Sequence, residues 1–206
     1  MLQSVTVQNA GQGCDILKKF CFTIRKLTIA PLMAAVLLTI LWFCRPAYFQ
    51  NPFYYWYSMF FLVLLPVLGY PMQKYIPAFK DRGREGQRSL AMIFAVAGYV
   101  LGCIANLFFH STRELWIIYL EYLISGILIF LFNKCFHKKA SGHACGIVGP
   151  LALLIAFGIY GAFIPGLLLV FLVYYSSLQT GRHSLLQLIG GSIIPAAVIV
   201  LILSIL

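Results

Sequence analysis

The sequence predicts an all-α membrane protein, a polytopic bundle of about six to seven transmembrane helices. Three observations predict it. Of the 206 residues, 62% are hydrophobic and only 10% are charged, and the mean hydropathy is +0.92. That leaves too little charge to cover a water-soluble domain of this size. The apolar residues fall into seven runs near the length that crosses a hydrocarbon core, roughly 20 helical residues for about 30 Å. The Lys and Arg residues gather in the short polar intervals between alternate runs. Helix is the only state open to these runs, because unpaired sheet edges cannot face lipid.

Residues 1–26 read as a polar, then amphipathic, interfacial segment, and residues 27–206 as the membrane domain. The stretch 15–26 mixes Phe, Ile and Leu with four basic residues, the composition of a helix lying along a membrane surface. The polar start lacks a charged-then-apolar leader, so no cleaved signal peptide is expected. The seven runs are residues 27–44, 53–70, 89–109, 114–132, 145–161, 163–177 and 185–206. The fifth and sixth are short, and Gly158, Gly161, Pro165 and Gly166 divide them as a tight hairpin. Aromatic residues between 42 and 57 read as an interfacial belt.

Seven crossings place Lys18, Lys19, Arg25, Lys26, Lys74, Lys80, Arg82, Arg84, Arg88, Lys134, Lys138, Lys139 and Arg182 on one face, against Arg45 and Arg113 on the other. The positive-inside rule puts the basic face in the cytoplasm, in a plasma (inner) membrane. The four N-terminal charges read as purely topological. A phosphate site would need the same cations wherever it faces. The net charge of +10 would suit nucleic acid, but short loops form no continuous basic face. A phosphate-bearing substrate and the anionic bilayer are the expected partners, and nucleic acid is not. The six cysteines are scattered, with no disulfide framework. No metal and no cofactor are expected, since no carboxylate cluster or paired His stands at ligand spacing.

Three intervals on the basic face carry chemistry. The first holds Lys80, Arg82, Arg84 and Arg88; Arg grips phosphate oxygens through a planar fork and Lys acts as a point charge. Alone, such a cluster is more often a topology signal. The second reads Lys139-Ala140-Ser141-Gly142-His143 and enters a helix. Ser141 suits an N-cap, Gly142 lets backbone approach an anion, helix-terminal amides attract phosphate, and His143 can protonate a leaving oxygen. The third gives Arg182-His183 with Gln187 four residues on. His183, Gln187 and Gly190/Gly191 then share a helix face. Gln187 can orient the imidazole, and a histidine attacking phosphorus forms a phosphohistidine that water cleaves. Each motif alone also reads blandly, as a capped helix start or an interfacial histidine beside a glycine seam.

This order of motifs, over about residues 65–205, resembles the type 2 phosphatidic acid phosphatase superfamily of membrane lipid-phosphate and prenyl-diphosphate phosphatases. The resemblance implies a metal-independent phosphatase. In it His183 is the nucleophile and His143 the general acid, while Ser141, Gly142, Arg182, Lys139 and the first-interval cations Lys80, Arg82, Arg84 and Arg88 grip phosphate. The chain departs from the family pattern at defined positions. The first motif has Lys, six residues, then Arg-Pro; here Ser89 follows Arg88, and Lys80 is one residue too distant. The family's third motif places Arg six residues before the nucleophile and Asp four after; here these are Ser177 and Gln187. The alternative reading is a catalytically weak or inactive relative that binds a phospholipid or membrane partner.

Glu121 is an ionisable residue inside a span, a functional candidate by default. It lies about 18 Å from the basic end of its helix at 1.5 Å per residue, too far to serve His183 directly, so a structural pairing with a polar group on another helix is expected. His110 and His137 sit at span ends and read as interfacial. One carboxylate and no inverted repeat argue against a transporter.

Overall fold

The computed structural model describes residues 17–134 and 140–206, and all regular structure in them is helical. Helix α1 (Leu17–Leu27) meets α2 (Ala30–Cys44) at a 57° bend. Pro31 stands in the first turn of α2, where its missing amide costs nothing. Then come α3 (Pro52–Met72), α4 (Pro77–Lys80), α5 (Gly83–Phe109), α6 (Arg113–Lys134), α7 (Gly142–Ala156), α8 (Phe163–Gln179) and α9 (Leu185–Ile205). Five helices, α3, α5, α6, α8 with its preceding turn, and α9, are long and apolar enough to cross a membrane; the bent α1–α2 pair makes a sixth if it is one span. The chain is a multi-pass membrane protein.

The helix borders move where sequence hydropathy is blind to capping. The helix of the third apolar run, α5, begins at Gly83 rather than residue 89, so Arg84 and Arg88 lie on a helix and not in a loop. That of the fifth run, α7, begins at Gly142, capped by Ser141, and ends at Ala156 rather than residue 161. Helix α7 is too short to cross the hydrocarbon by itself, and its surroundings explain why that is tolerated. It packs on α2, α6, α8 and α9, and eight of its residues, from Ala144 to Leu154, are buried. Its N-terminus, capped by Ser141, opens into a cavity, where irregular chain is permitted at membrane depth. The expected hairpin follows: Gly158 turns the chain at φ 77°, and a short turn over Tyr160–Ala162 leads into α8.

Small residues set the close approaches. A Cβ at Gly146 would overlap Ala30, so α7 touches the start of α2 beside the α1–α2 bend. A Cβ at Gly98 would overlap the Phe61 carbonyl oxygen, and one at Gly102 the Tyr119 ring. Such contacts replace the hydrophobic drive that lipid cannot supply. The core joins Leu37, Leu38 and Leu41 of α2, Leu115, Ile118 and Tyr119 of α6, and Leu153 of α7, all fully buried.

At the end away from the basic face, part of the expected aromatic belt turns inward. Phe49 is buried and meets Trp42 and Tyr55 at ring separations of 5.8 and 5.6 Å, while Trp56 remains 66% exposed. Tyr54 donates to the Phe109 carbonyl at 2.6 Å, Tyr57 donates to Asn106 Oδ1, and Thr112 donates to the Tyr48 carbonyl at 2.6 Å. At that end these bonds tie α3 to α5, and the turn before α3 to the residue that precedes α6.

Candidate functional site

A cavity of about 360 Å³ lies between α1, α2, α3, α5, α6 and α7. Its cationic part is lined by Arg25, Lys26, Arg88, Arg182, His143 and His183. From there α5 contributes Met92, Ala95 and Tyr99, three and four residues apart and therefore on one helical stripe below Arg88. Helix α6 contributes Ile129, Ser125 and Glu121, one per turn, a run of about 12 Å at 1.5 Å per residue. The cavity is thus amphipathic, with cations and imidazoles at one end, apolar walls along its length and a buried carboxyl at the other end.

The two histidines come together because two chain segments are hydrogen-bonded to each other. The backbone amide of Ser141 donates to the Gln187 carbonyl at 2.9 Å. Gly191 lies against Ser141, where a Cβ would overlap the Ser141 carbonyl oxygen. Gly190, one residue earlier, faces open space. Of the two glycines read as a packing seam, only Gly191 is one.

Ser141 is buried, and its hydroxyl accepts from the Ala144 amide at 3.3 Å. It caps α7, as its residue type predicts. As first-turn amides, those of Gly142 and His143 have no acceptor within their helix, and both residues line the cavity. That is the backbone arrangement that attracts an anion.

The partners of each imidazole assign its protons. Gln187 Oε1 accepts from the Ser184 amide at 3.4 Å and lies 3.1 Å from His183 Nδ1. The backbone donor fixes the amide's orientation, so His183 Nδ1 is the donor and its Nε2 keeps a lone pair. Ser184 and Gln187 complete a capping box at the start of α9. The Thr28 hydroxyl donates to the Ile24 carbonyl at 2.7 Å and lies 2.8 Å from His143 Nε2. Its single proton is committed to Ile24, so His143 donates from Nε2. Burial holds the His183 imidazole below its ordinary value of 6.5; the Gln187 bond opposes this, and Arg25, Arg88 and Arg182 reinforce it. His183 is therefore neutral at physiological pH.

The sequence-predicted residues divide cleanly. His143, His183, Gly142, Arg88 and Arg182 line the cavity, and Gln187 contacts His183. Lys80, Arg82 and Arg84 are exposed and lie outside the lining; Arg82 stacks over the Phe79 ring at 5.7 Å. Lys139 and His137 lie outside the described residues. His110 ends α5 in the left-handed conformation. Among the described residues the hydrogen-bond partner of Glu121 is Ser125, one turn on in the same helix and donating at 3.1 Å, not a group on another helix.

Three residues of α1 and the adjoining bend, Arg25, Lys26 and Thr28, enter the site unannounced by any motif. Arg25, read as a topological charge, lines the cavity and donates from Nη1 to Ser177 Oγ at 2.5 Å. Thr28 is buried against His143. Helix α1 is held in place by a further bond, from Ser176 Oγ to the Cys21 carbonyl at 2.7 Å. Cys21, Arg25 and Thr28 fall at positions i, i+4 and i+7, the inner stripe of the amphipathic pattern; that phase was the available signal. No His, Cys, Asp and Glu group among the described residues could hold a metal ion.

Fold and site define a helical multi-pass membrane protein with a cationic, two-histidine cavity at one end of the bundle. Comparison with protein-family models, curated proteins and solved structures finds no match to the chain.

Proposed function

We propose that the protein is a lipid phosphatase of the type 2 phosphatidic acid phosphatase kind, acting on a lipid phosphate or prenyl diphosphate without a metal. The observation that carries this reading is the pair of imidazoles in one cationic cavity, with His183 Nδ1 bonded to Gln187 Oε1. That bond leaves Nε2 as the nucleophilic atom. Nε2 attacks phosphorus and the bond from phosphorus to the lipid-side oxygen breaks. The charge of the bound phosphate offsets the burial and the Arg25 charge that otherwise hold His143 down at about 3, and the resulting imidazolium gives that oxygen its Nδ1 proton. Water then attacks the phosphohistidine, His143 takes a proton from the water, and phosphate leaves. Arg88, Arg182 and the amides of Gly142 and His143 offset the charge on the phosphoryl oxygens. The lipid chain follows the apolar walls past Met92 and Ala95. The charge bias favours a cytoplasmic basic face, in a plasma (inner) membrane.

Trapping the intermediate tests this directly. Protein mixed with ³²P-labelled lipid phosphate and quenched in alkali should carry label that acid removes, the stability pattern of a phosphoramidate. His183→Ala should carry none. A folded native protein that never acquires label, yet retains the lipid, is instead the phospholipid-binding relative that Gln187 in place of a carboxylate would suit.

A further inference from the structure

The departure at chain position 177 has a structural counterpart. Ser177 is fully buried near the C-terminal end of α8, and its carbonyl accepts from the Arg182 amide at 3.1 Å. It therefore sits at the base of the turn that carries Arg182 and His183. Its hydroxyl receives Arg25 Nη1 at 2.5 Å, from a helix 152 residues earlier in the chain. The contact occupies one nitrogen of the guanidinium, and the fork has further N–H donors to offer. Arg25 lines the same cavity as both histidines and lies within electrostatic reach of Arg88 and Arg182.

Three guanidinium groups close together repel one another. Among the described residues no carboxylate lines the cavity near them; the acid in the lining, Glu121, is about 12 Å along α6 from the Ile129 level. An arrangement of like charges this close calls for an anion, and planar forks suit a tetrahedral oxyanion. Helix α1 is pinned to deliver the group: Cys21 binds α8 through Ser176, and Thr28 holds His143.

We propose that Arg25 is a phosphate-binding residue of the site, its guanidinium held in the cavity across the α1–α8 contact by Ser177. Helix α1 is then a wall of the binding site as well as an interfacial segment. The role in turnover rests on the phosphatase reading; the role in binding phosphate does not.

The test uses two readouts on the full-length protein in detergent: binding of inorganic phosphate by ³¹P line broadening, and phosphate release from phosphatidic acid. Arg25→Ala and Arg25→Ser should each lose roughly 100-fold in release, the scale of one transition-state donor, and should lose phosphate binding. Lys19→Gln, on the exposed side of α1, should behave as native. The reciprocal pair Arg25→Ser with Ser177→Arg moves the guanidinium across a 2.5 Å contact and should restore binding lost in Arg25→Ser. If native protein binds phosphate but hydrolyses nothing, and Arg25→Ala abolishes that binding, the phosphatase reading fails and the role of Arg25 in binding stands. Phosphate binding unchanged in Arg25→Ala, no binding by the native protein, or a monodisperse swap variant as inert as Arg25→Ser would each overturn the proposal.

Discussion

Thr28 and His143 share a hydrogen bond of 2.8 Å that joins the bend between α1 and α2 to the first turn of α7. Because Thr28 spends its own proton on Ile24, it is a fixed acceptor, and it orients the His143 ring. Thr28→Val preserves shape and removes the acceptor. It should cut phosphate release about tenfold and lower stability by about 1–3 kcal/mol, the cost of stranding a buried donor. Thr28→Ser should retain most of both. Turnover together with thermal unfolding in detergent reads the pair.

The His183–Gln187 bond makes a different prediction. Gln187→Leu removes the orienting acceptor and should reduce kcat by roughly 100-fold, within the range by which positioned acid–base groups contribute. Gln187→Glu keeps an acceptor and adds charge that favours the imidazolium. Its acidic limb in a kcat/KM profile should move to higher pH. A limb that stays fixed in Gln187→Glu would mean that His183 does not govern the profile.

The same imidazole sets the native pH dependence. Its pKa is lowered by burial first, with Arg25, Arg88 and Arg182 adding to this against the opposing Gln187 bond. The active form is neutral, so the acidic limb should lie below 6.5 in the native protein and rise in Arg88→Gln. The stability sign is equally definite. The unfolded chain takes up its proton first, so this contribution to stability is complete above about 6.5. It falls away as pH drops from there through the folded value. Unfolding midpoints across that window check it.

Two adjacent glycines should respond in opposite ways. Gly191→Ala forces a methyl group against the Ser141 carbonyl and should cost about 1–3 kcal/mol as an overpacked contact. It should also part the two histidine-bearing segments and lower activity. Gly190→Ala meets nothing within 4 Å and should be neutral or stabilise by up to about 1 kcal/mol through helix propensity. Equal effects at both positions would contradict the packing described for α9.

What was legible in the sequence was local. Hydropathy located the helices, the residue type of Ser141 announced an N-cap, and the four-residue spacing of His183 and Gln187 announced their contact. Arg25 and Thr28 were not legible as site residues, because their partners lie 152 and 115 residues away and a basic amphipathic helix has a sufficient explanation in membrane charge. Helix phase made the first-interval cations ambiguous. Once α5 starts at Gly83, Arg88 falls on the stripe of Met92, Ala95 and Tyr99, while Arg84 projects one turn beyond it. Glu121 was legible as buried but not in its partner, since a serine one turn away satisfies a carboxyl as readily as a group on another helix.

The most direct measurement is inorganic phosphate release by detergent-purified protein. Phosphatidic acid, phosphatidylglycerol phosphate and undecaprenyl diphosphate would be offered with EDTA present, and His183→Ala run alongside. Release from at least one lipid that persists in EDTA and disappears in His183→Ala is the predicted result. No release from any of them by folded protein, or release that His183→Ala leaves intact, would contradict a histidine phosphatase.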